Sequence, residues 1–177
     1  MRIGLFFNSK LEASAAVASA IKSAEYRGRD VEFVEGDAGD DHGALDLAVS
    51  IGGDGTFLLT SKTIMGRGFP LYGINTGHLG FLASGDAQSA VRDMRKILEC
   101  DCSTFPRIPL KGEIVRDGRC VQCVWALNEI MVVKSFVSRP IALSVHMGNG
   151  KLYSIQADGI IAATPTGSTA YALSAGG

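Results

Sequence analysis

A carboxylate set among glycines is the first feature of this sequence that demands a chemical explanation. Gly52, Gly53, Asp54, Gly55 and Thr56 follow the apolar run Ala48–Ile51 and precede a helical pattern that begins near Thr56. A strand that opens through such a turn into a helix gathers backbone N–H groups around a small concavity, which makes an anion cradle. Glycine lets the main chain approach a phosphate closely and adopt positive φ. A carboxylate is out of place in a site built only to attract anions, so Asp54 needs a task. It could orient or deprotonate an attacking hydroxyl, or reach a Mg²⁺ that neutralises phosphates; phosphoryl transfer uses both. An Asp-Gly turn in which Asp54 caps the following helix stands as the structural alternative. The spacing matches neither a P-loop, which requires Gly-Lys-Ser/Thr, nor the dinucleotide fingerprint Gly-x-Gly-x-x-Gly.

Three further segments carry polar groups in suggestive company. Asn75, Thr76, Gly77, His78, Leu79, Gly80, Phe81 and Leu82 follow the next strand signal, which places them on the same sheet edge as the Asp54 turn. Asn128 and Glu129 interrupt the β-rich run Val124–Val133. An amide there offers both donor and acceptor to a purine edge, and a carboxylate suits ribose hydroxyls or an amino group. Asp158 and Gly159 open a segment that passes through Thr164, Pro165, Thr166, Gly167, Ser168, Thr169 and Ala170 to Tyr171, a small-residue, hydroxyl-rich turn ending on an aromatic ring. Taken singly, ordinary turn chemistry explains each of these equally well.

The elements that must position these groups change character along the chain. Ile3–Phe7, Val31–Val34, Leu47–Ile51 and Pro70–Ile74 read as short strands. Between and after them, Glu12–Arg27, Thr56–Ile64 and Asp86–Leu98 read as helices, the first stopping at Gly28. Such alternation predicts a parallel sheet covered by helices, with ligands outside the carboxyl ends of its strands. After Cys102 the texture turns to β-branched and alternating: Ile108–Val115, a hairpin signal at Asp117-Gly118, Cys120–Ala126, Ile130–Lys134, Ile141–Met147, a turn at Gly148–Gly150 and Lys151–Gln156. Ser168 and Thr169 look like the start of a helix. The expectation is therefore an α/β domain over residues 1–99 and a mainly β, sandwich-like and incomplete domain over residues 100–177.

Bulk properties bound the function without naming it. The 177 residues carry 17 Lys and Arg against 18 Asp and Glu, a net charge of −1. That balance leaves no footprint of a nucleic-acid binder and no polybasic membrane patch, so an anionic ligand has to be held locally. No apolar run reaches the length of a membrane span or a signal-peptide core, and a cytosolic protein is expected. Four cysteines, Cys100, Cys102, Cys120 and Cys123, imitate half-sites for zinc. Cys120 and Cys123 lie in a strand-like run, where residues three apart point to opposite faces, so reduced and partly buried thiols are the expectation.

In this order, the four segments resemble the NAD kinase family over nearly the whole chain. The resemblance rests on Gly52–Thr56, Asn75–Phe81, the Asn128-Glu129 pair and Asp158–Tyr171. The first motif is shared with diacylglycerol and sphingoid-base kinases; the later ones are not. The resemblance implies phosphoryl transfer from ATP, or in some members polyphosphate, to the 2′-hydroxyl of the adenosine ribose of NAD, with Mg²⁺ or Mn²⁺. By the same resemblance Asp54 is the base or hydroxyl-orienting carboxylate, Gly55 lies against the substrate and Phe81 forms apolar wall. Asn128 and Glu129 bind NAD, Asp158 engages the nicotinamide side, and Thr169, Ala170, Tyr171 and Ser174 shape the adenine pocket. Family members continue for roughly a further hundred residues, which complete a two-layer β core and help build a homo-oligomer. A non-catalytic nucleotide-binding module and, further off, a lipid kinase are the competing readings.

Overall fold

The apolar runs at 3–7 and 47–51 become the two central strands of a parallel sheet. In the computed structural model, which describes residues 1–77, 80–135 and 139–177, the chain forms two units, Met1–Pro106 and Arg107–Gly177. The first unit holds β1 (Arg2–Phe7), α1 (Glu12–Ser23), β2 (Glu32–Gly36), β3 (Leu47–Ile51), α2 (Asp54–Ile64), β4 (Leu71–Asn75), β5 (Gly85–Asp86) and α3 (Ala90–Leu98). Its strands are ordered β2-β1-β3-β4-β5, all parallel. Every residue of β3 is buried, as expected for a strand covered on both faces. On one face Ile3, Leu5 and Phe7 pack with Val17, Ala18 and Ile21 of α1 and with Met94 and Leu98 of α3; on the other, Phe6 and Ala48 meet Ile64 of α2. Strand order reverses between β1 and β3, and ligands of open α/β sheets bind outside the carboxyl ends at such a point.

Helix α2 starts at Asp54, two residues before the expected Thr56, and two further helix boundaries differ from the sequence expectation for local reasons. Helix α1 ends at Ser23 and not at Arg27. The Ile21 carbonyl, which Glu25 would use in a continued helix, instead accepts the Ala24 N–H at 3.3 Å and the Tyr26 hydroxyl at 2.8 Å. Gly28, at φ 69°, serves the turn that follows. Helix α3 starts at Ala90, later than the expected Asp86, because Asp86 is claimed by β5. There its side chain accepts the Ser89 N–H at 2.8 Å while Ser89 Oγ accepts the Asp86 N–H at 3.3 Å. Short polar side chains that bond nearby backbone compete with helix in this way.

The second unit is mainly antiparallel. It comprises β6 (Leu110–Arg116), β7 (Arg119–Ala126), β8 (Glu129–Val133), β9 (Ile141–Met147), β10 (Gly150–Ala157), β11 (Gly159–Ala163), a 3₁₀ turn (Gly167–Thr169) and α4 (Tyr171–Ser174). The strands pair as β6–β7, β8–β11 and β9–β10. Asp117 and Gly118, both at positive φ, join β6 to β7 in the two-residue geometry that matches strand twist. Strand β11 was not expected from sequence, where Gly159–Ala163 reads as part of a small-residue turn; it forms by pairing with β8 from Gly159↔Val133 to Ala163↔Glu129. The helix start expected at Ser168-Thr169 resolves into the 3₁₀ turn, broken from α4 at Ala170. Apolar residues including Val115, Val121, Val132 and Met147 are exposed on these ladders. The cysteine expectation fails on burial: all four are free thiols, as expected, but all four are exposed, and the sulfurs of Cys120 and Cys123 lie 3.4 Å apart. A bulge in β7 breaks the two-residue alternation on which that expectation stood. Among the described residues no helix is long and apolar enough to cross a membrane.

Candidate nucleotide site

Parallel pairing of β3 with β4, ending at Ile51↔Ile74, delivers the two loops side by side. The Gly52 N–H donates to the Ile74 carbonyl at 2.9 Å, which fixes the start of the turn. Gly53 is the N-cap of α2, and no side chain caps that helix. The capping alternative for Asp54 therefore gives way to a different arrangement. Asp54 stands in the first turn of α2, and its carboxylate crosses to the loop after β4, accepting the Phe81 N–H at 2.9 Å on Oδ2 and the Leu82 N–H at 3.1 Å on Oδ1. Gly80 makes the approach possible, because a Cβ there would lie 2.8 Å from Asp54 Cγ and nearer still to Oδ1. A Cβ on Gly52 would come within 2.9 Å of that of Thr56. A Cβ on Gly53 or Gly55 would instead meet nothing within 4 Å, so the space beside the first-turn amides is open. Phe81 lends its amide to Asp54, and its ring is 93% exposed. At the base of the same loop, Thr76 Oγ1 lies 3.1 Å from Ser14 Oγ of α1. His78 and Leu79, within the motif expected here, lie outside the described residues.

In the second unit the organising residue is one that the sequence reading passed over. Thr164 is 3% exposed. Its hydroxyl donates to the Leu127 carbonyl at 2.6 Å and accepts the Gly167 N–H at 3.0 Å, and its own N–H donates to the Asn128 carbonyl at 2.8 Å. Gly167 packs so tightly on this turn that a Cβ would sit 2.6 Å from Asn128 Cα. The turn before β8 and the turn after β11 are thus one body, which explains the threonine and glycine at these positions. Asn128 Oδ1 and Glu129 Oε2 are buried without a hydrogen-bond partner. Thr169 closes the 3₁₀ turn, Ala170 is the break, and Tyr171, 54% exposed, opens α4, where Ser174 is the last residue. Asp158 is held elsewhere. The β8–β11 ladder puts it beyond the Gly159↔Val133 end, opposite Glu129, where it pairs with Lys134 Nζ at 2.7 Å. Five residues of strand span about 17 Å.

The chain matches the model of the ATP-NAD kinase N-terminal domain over residues 7–102 and that of the ATP-NAD kinase C-terminal domain over residues 127–177. The chain belongs to the NAD kinase family. It is 39% identical over 170 residues to the NAD kinase of Symbiobacterium thermophilum, covering 95% of this chain and 59% of that protein. It is 42% identical over 132 residues to the NAD kinase of Methylococcus capsulatus, covering 75% of this chain and 46% of that one. Among solved structures, an Archaeoglobus fulgidus NAD kinase in complex with ATP matches with a TM-score of 0.75 at 28% identity, over 100% of this chain and 66% of that one. Yeast NADH kinase complexed with NADH shares the fold, with a TM-score of 0.84 at 22% identity over 100% of this chain and 61% of that one. This member of the family therefore spans about three-fifths of the length of the Symbiobacterium relative.

Proposed function

We propose that this chain performs the reaction of its family, moving a phosphoryl group from ATP, or from polyphosphate, to the 2′-hydroxyl of the adenosine ribose of NAD to give NADP. The observation that carries this reading is the position of Asp54. Its carboxylate is fixed by two loop amides, in the first turn of a helix whose N-terminus no side chain caps. Each carboxylate oxygen has a second lone-pair direction beyond the amide it already holds. A ribose hydroxyl can donate there, be aimed at the phosphorus and pass its proton to the carboxylate. Gly52, Gly53, Gly55 and Thr56 supply the turn and the helix N-terminus, which favour phosphate. Phe81, with its ring exposed, suits the dinucleotide as an apolar wall.

In the second unit, Asn128 and Glu129 present buried acceptors without partners, which suit the amino and hydroxyl donors of an adenosine. Asp158 is assigned to the nicotinamide side, and Thr169, Ala170, Tyr171 and Ser174 to the adenine pocket. Among the described residues no group of three or more His, Cys, Asp or Glu could hold a metal ion. A single carboxylate at the turn fits Mg²⁺ or Mn²⁺ that arrives on phosphates and keeps most of its water, and such an ion would neutralise phosphate charge. Incubation with ATP, Mg²⁺ and NAD should yield NADP, read by an NADP-specific dehydrogenase. Asp54→Asn should lower turnover by about 10²-fold or more while calorimetry still registers NAD. Unchanged turnover in that variant would remove Asp54 from its role, and a folded protein that makes no NADP would remove the activity.

A further inference from the structure

Cys120 and Cys123 take no part in the site above, yet their geometry is specific. An unbroken strand separates Cα atoms three residues apart by about 10 Å, beyond the roughly 7 Å that a disulfide can bridge. In β7 the cross-strand register steps from Ile114↔Gln122 to Val115↔Cys120, which leaves Val121 without an opposite residue. That bulge re-aims Cys120, so that the two sulfurs meet at 3.4 Å, both on exposed residues. The hydrogen bond with Cys120 pushes the Cys123 thiol above its ordinary pKa. Beside Cys123 the Lys111 ammonium, which lowers the thiol pKa, is ion-paired at 2.6 Å to the Glu113 carboxylate, whose opposing effect is the larger. A thiolate is the nucleophile in disulfide exchange.

We propose that Cys120 and Cys123 form a reversible dithiol–disulfide pair, a redox modification site on the β6–β7 hairpin. The oxidant is a small-molecule disulfide of the glutathione class. One cysteine thiolate attacks a sulfur of that disulfide, which expels one half as thiolate and leaves a mixed disulfide. The second cysteine loses its proton, attacks the protein-bound sulfur and expels the other half. In sum two cysteine thiols lose two electrons and two protons, and the oxidant leaves as two thiols. The sulfurs must close from 3.4 Å to about 2.05 Å. So short a loop restricts the unfolded chain little, which keeps the bond easy to reduce.

Trypsin tests this directly, because cleavage after Arg119 and Lys134 leaves both cysteines in one peptide, 120–134, while Cys100 and Cys102 fall together in 97–107. The protein is equilibrated in glutathione buffers of rising oxidised fraction, alkylated with iodoacetamide, digested and weighed. The 120–134 peptide should pass from its doubly alkylated form to an unalkylated form lighter than the dithiol by two hydrogens. Dithiothreitol should reverse this, and it should occur at oxidant levels that leave 97–107 alkylated. Cys123→Ser, a surface change with no thiol to resolve the intermediate, should accumulate glutathione on Cys120. The proposal is overturned if 120–134 stays alkylated, holds stable glutathione in the unsubstituted protein, or closes only in step with 97–107. It is equally overturned if the variant takes up no glutathione.

Discussion

Both oxygens of Asp54 already hold a backbone N–H, so the loop it staples sets where the carboxylate points. Gly80 is the residue on which that placement depends. Gly80→Ala forces the new methyl against Asp54 Cγ. In the role proposed for Asp54, a displacement of about 1 Å would cost on the order of 10²-fold in rate, so steady-state assays of the proposed reaction should show that loss while the thermal midpoint changes little. Thr164 works by a different physics. Its hydroxyl satisfies a buried carbonyl and a buried N–H at once. Thr164→Val keeps the shape and leaves both unpaired, at a cost of about 1–3 kcal/mol, readable by denaturant unfolding. Asp54 could be singled out from sequence because a carboxylate among glycines conflicts with anion binding. Gly80, Leu82 and Thr164 could not be given roles, because Asp54, Leu127 and Asn128, which they meet, lie far away in the chain and no local period marks them.

At the scale of elements, most strands were legible because burial imposes apolar runs or alternation, and β3 was placed to the residue. Helix ends were less so, since the end of α1 is decided by the Tyr26 hydroxyl reaching the Ile21 carbonyl. The bulge in β7 left no local sign either, and β11 emerges only through its pairing with β8. The tie between β4 and α3 has a consequence for pH. Tyr72 donates to Asp93 Oδ2 at 3.0 Å. Burial raises the Tyr72 pKa, and the Asp93 charge adds to it. Burial also works against the Asp93 carboxylate, but hydrogen bonds from Ser89, Tyr72 and Arg92 outweigh it and hold its pKa below the usual value. A raised tyrosine stabilises below about pH 10 and loses that contribution as pH rises; a depressed carboxylate stabilises above about pH 4 and loses it as pH falls. The stability difference between the unsubstituted protein and Tyr72→Phe should thus be flat between these limits and shrink toward both extremes in a series of thermal midpoints.

For the whole molecule, a net charge of −1 supplies no general field for anions, so the phosphate binding proposed above would have to be local, carried by turns and helix ends. The two units differ in how their backbone is covered. In the first, β1 and β3 are almost entirely buried between helices; in the second, the ladders expose much of their length. Native-state hydrogen exchange should therefore find its slowest amides in β1 and β3, with β6, β7, β9 and β10 exchanging sooner. The division of the chain into α/β and β-rich parts was legible from the change in periodicity after Cys102. The pairing β8–β11 was not, because 25 or more residues separate its strands, from Val133 to Gly159 at the nearest. That same pairing has a further consequence. The chain leaves β8 at Lys134 and returns at Asp158 through a junction closed by a 2.8 Å backbone hydrogen bond and a 2.7 Å ion pair. Because loop closure depends only logarithmically on length, this junction is a natural port for insertion, where a gene can exchange one hairpin for a longer or shorter one and leave the Thr164 turn as it was.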